Sequence, residues 1–173
     1  MADALAQAVR DAGVEALVVD DLRPDDLTSI GWSGSPAHIR SVASKLERVA
    51  DGSLEYIVVR GPDGTPVSKG LIDFAARADA GVIEQLATHP DLQGLGIGTR
   101  LVDEAERRIR ARGVRWAVLG VEDDNPRALA LYERLGYIAY AREPDAWDAE
   151  DARGEIFRYE TEVTLLRKDV RAP

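Results

Sequence analysis

The chain has 173 residues, 45% of them hydrophobic and 31% charged, with a net charge of −9. That balance and length suit a globular domain with a sizeable core, and the negative charge argues against a nucleic-acid partner, which needs clustered Lys and Arg. No apolar run approaches the roughly 20 residues that cross a bilayer, and the absence of cysteine excludes disulfides, thiolate nucleophiles and thiolate metal sites. The N-terminal stretch is helix-prone and acidic, unlike a secretory leader, so the cytoplasm is the expected compartment. An acidic surface serves solubility first, with attraction of a cationic amine as the alternative reading.

In chain order, residues 1–13 read as a loose helix closed by Gly13. Val14 to Asp20 reads as a first strand, and Arg23-Pro24-Asp25-Asp26 opens a short helix with proline in its first turn. Ile30 to Ser35 is loop-like. Ser35-Pro36 caps a helix over about Ala37 to Ala50, with Ile39, Val42, Ala43, Leu46 and Val49 on its inner stripe. Glu55–Arg60 and Val67–Phe74 flank Gly61-Pro62-Asp63-Gly64-Thr65, a strong hairpin turn. Ala75 to Asp79 turns into a central strand, Gly81 to Thr88, whose mixed residues without clean alternation suit a strand covered on both faces.

His89-Pro90-Asp91 ends that strand, since proline cannot extend a ladder. Gln93-Gly94-Leu95-Gly96-Ile97-Gly98 follows, and then a helix with Leu101, Val102, Ala105 and Ile109 on one stripe, stopped at Gly113. Alternate glycines let the backbone turn its N–H groups inward, and a helix N-terminus adds the positive end of its dipole, so the product is an anion cradle. It is not a Walker loop, because Thr99-Arg100 stands where Lys-Ser/Thr is required. A dinucleotide fingerprint fails as well, with Thr99 at the third glycine position and several strands preceding it. A tight strand-to-helix turn is the plain alternative. Downstream, Arg115 to Val121 reads as a fifth strand, Asn125 to Leu135 as a helix, and Tyr137 to about Arg142 as a sixth strand. Glu143 to Gly154 is acidic and reads as a long loop. Phe157 to Leu166 alternates as a last strand, and Lys168 to Pro173 reads as a frayed tail. This order of elements is α+β with a mixed sheet.

Gln93-x-x-Gly96-x-Gly98, placed after Thr88-His89-Pro90 and before an amphipathic helix, resembles the acetyl-CoA pyrophosphate loop of the GNAT N-acetyltransferase superfamily. The resemblance continues through Val118-Leu119-Gly120-Val121, Asn125-Pro126-Arg127-Ala128 and Leu131-Tyr132-Glu133-Arg134-Leu135-Gly136-Tyr137. It covers about Ala80 to Tyr137 closely and the flanks by order of elements. It implies the GNAT fold over a single domain, residues 1–173: a mixed, mostly antiparallel sheet of six to seven strands flanked by helices, splayed between strands 4 and 5. It also implies acetyl-CoA as co-substrate and a primary amine of a small molecule or peptide as acceptor; neither a metal nor a membrane partner is expected. The lack of cysteine excludes an acetyl-cysteine intermediate and favours direct attack in a ternary complex. A monomer or a homodimer is open, as is a non-catalytic CoA-binding module on the same fold.

By the resemblance, backbone groups of Gly94, Leu95, Gly96, Ile97, Gly98 and Thr99, with Gln93, hold the pyrophosphate. The strand edge at Leu86, Ala87 and Thr88 pairs with the pantetheine amides, and a backbone N–H near Leu86 meets the oxyanion. Asn125 is an N-cap on its own merits, and in the family it also meets the cofactor arm. Tyr132 sits on the Ala128–Leu131–Leu135 side of its helix, a core position, and the family uses a tyrosine here as the acid for the departing thiolate. Glu84 is the candidate general base, sharing a strand face with Val82 and Leu86, with an arginine ion pair or a solvent-facing carboxylate as its ordinary alternative. Relatives place the base where Val82 or Gly120 stands here, and Glu122, on the face of Gly120, is the competitor. Trp32, Trp147 and Tyr140 are candidate walls of the acceptor pocket or simple packing groups. His38 and His89 read as surface or capping groups, in no metal-like cluster.

Overall fold

Period-2 alternation sends successive strand residues to opposite faces of a sheet, and here both faces are covered, so apolar side chains are buried on each. The structure, a computed structural model, describes residues 2–171. Its helices are α1 (Ala2–Ala12), α2 (Pro36–Glu47), α3 (Ile97–Ala111) and α4 (Pro126–Arg134). Its strands are β1 (Val18–Asp21), β2 (Leu54–Arg60), β3 (Pro66–Asp73), β4 (Ala80–Thr88), β5 (Trp116–Glu122), β6 (Ile138–Glu150) and β7 (Ile156–Asp169). They form one sheet in the order β1-β2-β3-β4-β5-β7-β6, with β4–β5 as the parallel pair. On one face Ile57, Val59, Ile72, Ile83 and Leu119 pack against Leu101, Val102, Ala105 and Ile109, the predicted stripe of α3. On the other, Leu54, Tyr56, Val58 and Leu71 pack against Val42 of α2.

The feature that positions the site is where the β4–β5 ladder stops. Parallel pairing runs only from Ala80↔Trp116 to Ile83↔Leu119. Beyond it β4 stays with β3 through Lys69↔Ala87 and Ser68↔Thr88, while β5 stays with β7 through Glu122↔Val163. The two strands part, and this is the expected splay. At the same point β4 carries a bulge: Gln85 has φ +53°, and neither Gln85 nor Leu86 has a ladder partner in the registers with β3 and β5.

Three local expectations are corrected. Val14–Ala16 is a single 3₁₀ turn, leaving Val18–Asp21 as the first strand. Glu143 to Glu150 is part of β6, paired with β7 down to Glu150↔Ile156, and only Asp151 to Glu155 form a loop. Its acids and Pro144 are tolerated because β6 is the sheet edge, where the neighbouring strand decides pairing more than propensity does. The tail is also held. β7 reaches Asp169, and Val170 is buried with its N–H donating to the Arg115 carbonyl at 2.9 Å. Residues 172–173 of that expected tail lie outside the described ones.

Candidate active site

The loop between β4 and α3 has the backbone an anion cradle needs. Gly94 and Gly96 lie at φ +82° and +88°, a region that L side chains rarely enter. Gly96 is the N-cap of α3 and offers no side chain, and the first turn holds no acidic residue, so the leading N–H groups are left for a ligand. Gly98 sits close to β4, where a Cβ would lie 3.5 Å from Thr88 Oγ1. The Gln93 amide donates to the Thr88 carbonyl at 3.4 Å and ties the loop to the strand.

This loop is one wall of a cleft of about 450 Å³. The freed part of β4, Leu86 to Thr88, is the second wall, and α4 supplies the third through Ala128, Leu131 and Tyr132. The structure therefore brings together Leu86, Ala87, Thr88, Gln93, Gly94, Gly96, Ile97, Gly98, Thr99, Asn125 and Tyr132. Leu95 points elsewhere and packs on the hydrophobic core. Asn125 caps α4, its Oδ1 accepting from Ala128 N at 3.1 Å, while also lining the cleft. Tyr132 is 8% exposed and edge-on to Tyr137, with ring centroids 5.9 Å apart. Burial pushes its phenol up to about 12, and it has no hydrogen-bond partner among the described residues. It is therefore a proton-bearing donor across the neutral range.

The bulge changes the reading of Glu84. Leu86 turns to the α3 face, packing there over Gly70, whose added Cβ would lie 2.8 Å from Leu86 Cδ2. Glu84 and Gln85 both serve the α2 face instead. Glu84 Oε2 is 3.1 Å from Lys45 Nζ of α2, and the Tyr56 hydroxyl donates to Gln85 Oε1. The expected shared face of Glu84 and Leu86 is thus undone, because one extra residue in a strand shifts the side-chain alternation. Glu84 has an ion-pair partner, a lysine rather than an arginine.

The α2 face carries further polar groups near the splay. Lys69 of β3 is fully buried, its Nζ 3.2 Å from the Gln85 carbonyl and 3.1 Å from His38 Nε2. Burial, then Lys45, pushes Lys69 down to about 8; burial, then Lys69 and Lys45, pushes His38 down to about 4. His38 is thus a half-buried partner, not a surface group, whereas His89 caps the turn at Pro90. Glu122 ends β5 opposite Val163. Burial, then Asp124 and Asp145, raise its carboxyl against a counteracting hydrogen bond from the Tyr159 hydroxyl at 3.5 Å. Trp147 packs on Tyr159, centroids 4.7 Å apart, and Trp32 on His89 at 5.5 Å. Tyr140 lies under Arg167 instead. Among the described residues no group of three or more His, Cys, Asp or Glu could hold a metal ion, and no helix is long and apolar enough to cross a membrane.

The Acetyltransferase (GNAT) family profile matches residues 20–137, more than half of the chain. The chain belongs to the GNAT acetyltransferase family. Two mycothiol acetyltransferases match parts of it. That of Geodermatophilus obscurus is 43% identical over 61 residues, 35% of this chain and 20% of the relative. That of Beutenbergia cavernae is 38% identical over 91 residues, 53% of this chain and 30% of the relative. The matched segment is therefore under a third of either relative's length. The GNAT fold is also that of spermidine N-acetyltransferase from Vibrio cholerae, solved with CoA and spermine: TM-score 0.67, 18% identity, covering 90% of this chain and 96% of that one.

Two cationic residues of the cleft were not among the expected site residues. Arg127 and Arg134 both line the cleft, and neither has a carboxylate partner among the described residues. Arg127 reaches the loop, its guanidinium 3.8 Å from where a Gly94 Cβ would be. Their separation of seven residues, two helical turns on one face of α4, was the available signal.

Proposed function

We propose that this GNAT protein transfers an acetyl group from acetyl-CoA to a primary amine of a small molecule or peptide, by direct attack in a ternary complex. One observation carries the reading: the ladder ending at Ile83↔Leu119 opens a cleft that joins an uncapped helix N-terminus, a free strand edge and Tyr132. Residues Gly94 to Thr99 present N–H groups to the diphosphate, with Arg127 and Arg134 adding charge. Leu86 to Thr88 offer a backbone edge to the pantetheine amides, as a strand does to an added peptide.

For the chemistry, acetyl-CoA supplies an activated thioester and this chain supplies position and proton handling. Glu122 takes the proton of the incoming ammonium, directly or through water, so that the nitrogen lone pair can form the new C–N bond. Its place at the end of β5, the strand that parts from β4 at the splay, and its raised pKa support that role, whereas Glu84, held by Lys45, is the second candidate. The Leu86 N–H faces the charge that develops on the carbonyl oxygen. As the C–S bond breaks, the Tyr132 hydroxyl donates to the departing sulfur.

Calorimetry with CoA and acetyl-CoA, followed by thiol release across a panel of polyamines, amino acids, aminoglycosides and peptide N-termini, tests the reading. Binding of both and release with at least one amine is expected. Binding without release on any amine would favour a non-catalytic module, and no binding would remove the reading altogether.

A further inference from the structure

We infer that Lys69 is a positioning residue for acetyl transfer: it holds the Gln85 bulge from the α2 side and polarises the Gln85–Leu86 peptide, whose N–H faces the reacting carbonyl. This rests on the transferase reading above and adds to it a group that touches neither cofactor nor acceptor. A lysine wholly inside a strand face is costly to desolvate and is rarely kept without a partner of consequence. Here the partners are two: the Gln85 carbonyl at 3.2 Å and His38 Nε2 at 3.1 Å. An ammonium only donates, so His38 accepts at Nε2 and carries its own proton on Nδ1.

What Lys69 grips is a strained residue. A glutamine at φ +53° persists only when its surroundings over-determine it. Three contacts do so: the Tyr56 hydroxyl on the Gln85 side chain, Leu86 seated over Gly70, and the Lys69 ammonium on the Gln85 carbonyl. Only the last acts on the peptide bond itself. The Gln85 carbonyl and the Leu86 N–H belong to one amide, so a cation at the oxygen strengthens the N–H as a donor. That amide lies two to three residues past the last β4–β5 pair, at the mouth of the cleft lined by Leu86.

The charge state gives a signature. Against Lys69 stand His38, 3.1 Å away, and Lys45, both from α2, while Tyr56 of β2 and Glu84 of β4 lie on the same α2 face of the sheet. His38, pushed down to about 4, is neutral from pH 5 upward, and Tyr56 is pushed far above the neutral range by burial, then Glu84. Lys69, pushed down to about 8, therefore changes charge just on the alkaline side of neutrality. Losing its proton weakens the grip on Gln85, so turnover should fall as pH rises through about 8.

The test compares wild type, Lys69→Met and Lys69→Arg by CoA calorimetry, thiol release from acetyl-CoA to the amine panel and to water, and amide exchange of residues 83–88. Lys69→Met should keep CoA affinity within about threefold, lose roughly 10- to 100-fold in kcat, lose the alkaline fall near pH 8, and exchange faster over residues 83–88. Lys69→Arg should recover part of the kcat and shift the alkaline limb upward. Unchanged kcat and exchange in Lys69→Met would overturn the inference, as would a parallel loss of CoA affinity, which marks a merely structural role. Wild type that fails to bind CoA would sink the transferase reading instead, a result separable from both.

Discussion

Replacing Tyr132 by Phe removes one hydroxyl and little else. The phenol has no hydrogen-bond partner among the described residues and sits at the cleft wall, so the ring keeps its packing against Tyr137 and stability should stay within about 1 kcal/mol. The catalytic cost follows from its acidity. With burial pushing Tyr132 up to about 12 and an alkyl thiol near 8.5, complete proton transfer to the leaving sulfur is uphill by roughly 5 kcal/mol. Tyr132 therefore acts chiefly as a hydrogen-bond donor to a developing anion, worth about 1.5–3 kcal/mol. The expected loss in kcat is roughly 10- to 150-fold, well short of the 10⁴-fold upper range for general acids. Thiol-release kinetics with the best amine of the panel, beside CoA calorimetry, measure it; CoA affinity should hardly move. Wild-type kcat in Tyr132→Phe would refute the donor role, and a loss of CoA affinity matching the loss in rate would show that the tyrosine serves binding alone.

Glu122→Gln should remove the acid limb of the kcat/KM profile: a raised carboxyl pKa means the base is protonated, and activity lost, as pH falls through a value above the ordinary carboxylate range. Glu84→Gln should leave that limb in place, and a profile altered only in Glu84→Gln would reverse the assignment. Arg127→Ala should weaken CoA binding about three- to tenfold and flatten its salt dependence, read by calorimetry at two ionic strengths. Gly81→Ala tests the core beneath the site. Its Cβ would lie 2.7 Å from Ile109 Cδ1 and 3.2 Å from Ile72 Cγ2, so overpacking should cost about 1–3 kcal/mol and lower Tm by roughly 2–10 °C in a thermal melt.

The pieces of the site that are local in sequence were legible in it. Gly94 and Gly96 spell a loop that turns through positive φ, and α3 announces itself by its stripe and its Gly113 stop. Asn125 before Pro126 marks a cap, and the helical spacing of Ala128, Leu131, Tyr132 and Leu135 places the tyrosine on an inner stripe. Arg127 and Arg134 were open to the same arithmetic. What failed lay in strand pairing. Nothing in Glu143 to Glu150 looks like a strand, since a long neighbour, β7, is what makes it one.

Sequence alone determined the glycine loop, the helix behind it and the inner stripe that carries Tyr132, because turns and helices close hydrogen bonds within a few residues and write their rules into local spacing. Tertiary structure alone decided where β4 leaves β5, that Gln85 bulges, that Glu84 turns to Lys45 rather than alongside Leu86, and that Lys69 lies under the bulge. Those depend on the register of strands far apart in the chain, where one inserted residue exchanges the faces of the side chains after it.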